Sequence, residues 1–133
     1  MDESRARSKG WLDFAVMDLE SARYLTGMRP QPLEIICYHC QQSIEKALKG
    51  YLLFHGAEAP KMHDLVRLCE LCAGIDEQFV SLGRACARLS AYGVQARYPA
   101  QLDVTTEDME QALSDCESTL AFVRKKLEQT PQG

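Results

Sequence analysis

His39, Gln42, Lys46 and Lys49 recur at spacings of three and four. On a helix that spacing lines up an imidazole, an amide and two ammonium groups on one side. Such a row can hold an anion, a phosphate above all, through charge-assisted hydrogen bonds. The same row can equally be a solvated face, with Glu45 and Lys49 paired at i, i+4. Arg97-Tyr98-Pro99 is a second candidate. Its guanidinium suits a phosphate, and its ring suits a base or a partner surface. Alternatively, Tyr98 covers the end of a bundle and Arg97 pairs with an acid such as Glu45. His63-Asp64 sets a carboxylate beside an imidazole, which serves proton transfer or, more simply, a helix N-cap. His55 stands where it can complement a helix C-terminus. Cys37-x2-Cys40 and Cys69-x2-Cys72 imitate a four-cysteine zinc pattern. All four nevertheless fall on apolar helical stripes without the glycine turns of a zinc knuckle, so they read as small core residues. No metal and no cofactor is expected.

The longest helical pattern, Pro32 to Gly56, must position most of these groups. Leu33, Ile36, Cys37, Cys40, Ile44, Ala47, Leu48 and Tyr51 share one face, with proline at its start and glycine at its end. Tyr38 and Leu53 lie in or beside the polar stripe, so this helix has neighbours on two sides, the second being another helix or a second subunit. Before it, Trp11, Leu12, Ala15, Val16, Leu19 and Ala22 mark a helix ending near Gly27. After it come a short helix over Leu65 to Cys72 and a fourth over Phe79 to Leu89. Val94 to Val104 has no period and reads as a loop. A fifth helix starts at Thr105-Thr106-Glu107-Asp108 and carries Met109, Ala112, Leu113, Cys116, Leu120, Val123 and Leu127. The expected fold is all-α, an antiparallel up-and-down bundle of four to five helices, four of them long enough to pack side by side. Residues 1–8 read as an N-terminal tail, 9–129 as the helical domain and 130–133 as a C-terminal tail.

A chain of 133 residues with 46% apolar and 26% charged residues suits one soluble domain. Its net charge of −4 argues against nucleic-acid binding by bulk charge. No apolar run is long enough to span a membrane, and the charged start lacks the apolar core of a secretory signal. Six cysteines in such a chain read as reduced thiols, and the expected location is the cytoplasm.

The run His39-Cys40-Gln41-Gln42-Ser43-Ile44-Glu45-Lys46-Ala47-Leu48-Lys49 is less generic. So are Ala15 to Ala22 before it, the His63-Asp64-Leu65 helix start, Tyr92 with Arg97-Tyr98-Pro99, and the acidic start at Thr106. In this order they resemble the HEPN domain (higher eukaryotes and prokaryotes nucleotide-binding) over roughly residues 9 to 128. The resemblance implies an up-and-down helical bundle, usually a homodimer. It also implies partnership with a minimal nucleotidyltransferase, frequently as a toxin–antitoxin pair, and a nucleotide or RNA ligand. Many members are metal-independent ribonucleases with an Arg followed, after about four to six residues, by a His. Here no Arg precedes His39, His55 or His63 at that distance, and no His follows His63. That catalytic pair is not carried over. The expectation is therefore a binding module whose ligand meets Arg97, Tyr98, Lys46, Lys49, His39 and Gln42. The alternative is a ribonuclease with a non-standard set drawn from His39, His63 and Arg97.

Overall fold

The computed structural model describes residues 2–93 and 103–129. Its five α-helices are α1 (Asp2–Leu25), α2 (Leu33–Phe54), α3 (Leu65–Ala73), α4 (Gly83–Ser90) and α5 (Thr106–Gln129), with a 3₁₀ helix at Glu77–Leu82. No strand occurs among the described residues. The fold is an all-α bundle, as the apolar periodicity requires. Helix α2 packs against each of the other four. Its seven apolar residues from Ile36 to Tyr51 named above are all buried. Gly56 stops the chain of α2 at φ +83°, a conformation that favours glycine.

Helices α1 and α2 are strapped together by small polar side chains. Ser43 Oγ donates to the Ala15 carbonyl at 2.7 Å, and Ser8 Oγ donates to the Gly50 carbonyl at 2.7 Å. Gly50 lets the helices come this close. A Cβ there would strike Leu12 and lie 3.2 Å from Trp11 Cβ and 3.3 Å from the Ser8 carbonyl oxygen.

Two expectations need correction. The tail expected over residues 1–8 is helical from Asp2, because Ser8 is buried on α2 and the Arg5 guanidinium lies 5.0 Å from the Phe54 ring centre. The fourth helix is broken into the 3₁₀ turn and α4, so only α1, α2 and α5 are long, and α3 and α4 share the fourth side. Asp76 caps the tighter turn by accepting from Gln78 N–H, which aims Phe79 inward onto Tyr51 and Phe122 at centroid distances of 4.4 and 5.1 Å. The α5 start is a reciprocal capping box. Thr105 N–H donates to Asp108 Oδ2 at 3.1 Å, and Asp108 N–H donates to Thr105 Oγ1 at 3.0 Å. The expected loop from Val94 onward lies outside the described residues up to 102, as does the tail at 130–133. No described helix is long and apolar enough to cross a membrane.

Candidate functional site

The polar side of α2 is organised by two carboxylates. On α1, Asp18 lies one turn from the buried Ala15 and Ala22 and next to the buried Leu19, so its carboxylate is drawn against α2. Its Oδ1 accepts from His39 Nδ1 at 3.0 Å and its Oδ2 from Lys46 Nζ at 2.6 Å. This first cluster opens towards the surface, with the Lys46 side chain 27% exposed. Lys46 Nζ also lies 5.9 Å from the centre of the Phe14 ring.

The second cluster is centred on Glu45. Its Oε2 accepts from Lys49 Nζ at 3.1 Å and from His63 Nδ1 at 2.8 Å, while Gln41 Nε2 donates to Oε1 at 3.3 Å. Gln41 also reaches the His63 carbonyl at 3.4 Å, so the cluster pins the α2–α3 connection onto α2. Lys49 and Glu45 are each 6% exposed and His63 is 70% exposed. Lys49 Nζ stands 5.8 Å from the Trp11 ring centre.

The four-residue row read on α2 therefore divides. His39 and Lys46 meet around Asp18, Lys49 turns inward to Glu45, and Gln42 Nε2 donates to Gln41 Oε1 at 2.7 Å. Arg97 and Tyr98 lie outside the described residues. Each lysine is matched by a carboxylate, so an incoming anion competes with an existing ion pair. Each imidazole directs Nδ1 to a carboxylate, which leaves Nε2 as the ring nitrogen available to a ligand.

Asp64 and His63 do not act as a pair. Asp64 caps α3 by accepting from Val66 N–H at 3.0 Å and Arg67 N–H at 3.3 Å. His55 is the C-cap residue of α2 with its ring 4.5 Å from Tyr51, and burial lowers its pKa, against a role as a dipole-matching cation. All six cysteines are buried and unpaired by disulfide. Burial foremost pushes the Cys37 and Cys72 thiols up to about 12, which makes them inert core residues. Among the described residues no three His, Cys, Asp or Glu side chains converge as a metal site.

Sequence reasoning missed Asp18 and Gln41 as site residues. The available signal was an acid within an apolar α1 stripe that has no helical neighbour of opposite charge on its own buried side.

The model of the HEPN domain matches residues 8–126. The chain belongs to the HEPN domain family. This HEPN domain is similar in structure to TT1696 from Thermus thermophilus, at 28% identity and a TM-score of 0.76, with 90% of this chain and 98% of that one covered. It is also similar to ST0689, an archaeal HEPN homologue, at 24% identity and a TM-score of 0.70, with 90% and 97% covered. No curated protein matches the sequence.

Proposed function

We propose that this HEPN domain works by association: as a homodimer in the cytoplasm, binding nucleotide or RNA phosphate through His39, Gln42 and Lys46 with Arg97 and Tyr98. A minimal nucleotidyltransferase is its second partner, in a toxin–antitoxin-type pair. The observation that carries the reading is the exposed apolar surface beside the first cluster. Phe14, Met17, Tyr24 and Ile35 are exposed there although the core is well filled. Family membership supports the nucleotide and the nucleotidyltransferase.

The reading is tested by sedimentation velocity and by titration with a short single-stranded RNA. Wild type should sediment as a dimer and bind the RNA with strong salt dependence, and Lys46→Met should weaken binding severalfold. A monomer that ignores RNA would overturn it. Co-purification with a co-expressed minimal nucleotidyltransferase tests the second partner.

One observation favours a second reading, a metal-independent ribonuclease with a non-standard site. His63 presents an exposed imidazole whose Nδ1 is held by a buried carboxylate, an arrangement suited to proton transfer at Nε2. Cleavage of mixed cellular RNA by wild type, lost in folded His63→Ala and Arg97→Ala, would establish it. An inactive wild type leaves the association reading in place.

A further inference from the structure

The exposed stripe of α1 is symmetric about its own middle. Arg7, Gly10, Phe14, Met17, Ser21 and Tyr24 follow at spacings of three and four on the side away from the core. Read outward from the point between Phe14 and Met17, the residue types pair: Phe14 with Met17, Gly10 with Ser21, Arg7 with Tyr24. We propose that a second copy of this chain docks here, its α1 antiparallel to the first and crossing it at Phe14 and Met17. The inference rests on the homodimer reading above and specifies its surface.

Each pair that an antiparallel two-fold creates is chemically matched. Phe14 of one copy meets Met17 of the other twice, a thioether against an aromatic ring. Gly10 opposite Ser21 lets the backbones approach, and a Cβ at Gly10 would meet nothing within 4 Å, so that side of α1 is open. Arg7 opposite Tyr24 places a guanidinium over a phenol ring. A parallel arrangement would instead set Arg7 against Arg7.

The relief of the surface agrees. A hollow of about 460 Å³ lined by Arg7, Gly10, Trp11, Phe14 and Lys46 lies on one side of the crossing point. A hollow of about 510 Å³ that includes Met17, Ser21, Tyr24 and His39 lies on the other. The two-fold faces each hollow with the rim of the other, so that the large side chains of one copy fill the hollows of its mate.

The area is also sufficient. Phe14, Met17 and Tyr24 are 64%, 63% and 86% exposed. With Ile35, one turn from His39 on α2, they offer on the order of 500 Å² per copy, taking roughly 150–250 Å² for a large side chain. A standard stable interface takes about 800 Å² per partner, and the half-buried Trp11 and the polar rim supply the difference. Lys46 and His39 wall the hollows on their α2 side, so the Asp18–His39–Lys46 cluster borders the interface.

The experiment measures mass by sedimentation equilibrium for wild type, Phe14→Glu and Val80→Glu, each checked for native helicity. Phe14 is exposed, so its change leaves the core intact, and Val80, 70% exposed on the 3₁₀ helix, is a control off this face. Wild type and Val80→Glu should be dimers, with the dissociation constant of Phe14→Glu raised at least 100-fold. Orientation is then read by cross-linking a mixture of Gly10→Cys and Ser21→Cys chains, the six native thiols being buried. Antiparallel packing yields the 10-to-21 product. A monomeric wild type would overturn both the homodimer reading and this surface. A Phe14→Glu protein as dimeric as wild type would overturn the surface alone, and a dominant 10-to-10 product would overturn the orientation.

Discussion

Two clusters built on the same carboxylate–lysine–histidine plan lie along α2, and they behave differently. Each is one carboxylate gripped by one lysine and one histidine Nδ1. Around Asp18 the lysine reaches outward and the group borders the exposed apolar face. Around Glu45 the lysine is enclosed by α1 and α2 and the histidine belongs to a connection that must be held down. Burial therefore divides the same chemistry into two tasks. An enclosed carboxylate–ammonium pair is costly to break, because removing one member strands the other without water. A partly solvated pair can exchange its partner for a ligand at small cost.

The largest expected effect follows directly. Glu45→Ala should destabilise the domain by about 3–5 kcal/mol in urea unfolding, whereas Asp18→Ala, whose partners Lys46 and His39 keep access to water, should cost about 1–2 kcal/mol. Comparable losses at the two sites would erase the distinction. Gly50→Ala comes next. Alanine is the better helix former by about 1 kcal/mol, yet the crowding against Leu12, Trp11 and the Ser8 carbonyl should leave a net loss of about 1–2 kcal/mol. A higher unfolding midpoint would show that the α1–α2 contact is looser than described.

Asp18→Asn sharpens the comparison from the other side. It removes the charge that holds Lys46 while keeping the shape, so RNA affinity should rise a few fold with a steeper salt dependence. Glu45→Gln should produce no such gain. The smallest effect concerns Asp76, outside both clusters. Its side-chain bond from Lys126, then the Gln78 N–H bond, lower its pKa from the ordinary 3.8. The sign follows from linkage: the contribution is present above about pH 4 and is lost as pH falls through the lowered value. Asp76→Asn should therefore flatten the acid limb of the stability profile, read by thermal melts at pH 2 to 5.

The sequence revealed the helices well because their signals are local. The apolar period of α2, the capping box at Thr105 and Asp108, and the stop near Gly56 all act within one or two turns. Glu45 and Lys49 were legible as a pair for the same reason, being four residues apart. What was hidden depended on distant neighbours. Asp18 stands 28 residues from Lys46, and nothing in local spacing assigns them to each other. Lys49 looked like a member of an exposed row because helical spacing gives direction but not what covers it. The break between the 3₁₀ turn and α4 was concealed because Phe79, Leu82, Cys86 and Leu89 suit a continuous helix equally well.

The distinction between the two lysines is the centre of this account, and amine labelling reads it directly. Folded protein would be treated briefly with an acetylating reagent under dilute conditions, and Lys46 and Lys49 would be quantified in one peptide digest by mass spectrometry. Lys46 should label in the native state while Lys49 stays protected until the domain is unfolded in urea. Equal labelling of the two, or faster labelling of Lys49, would contradict the assignment of Lys49 to the interior and Lys46 to the surface.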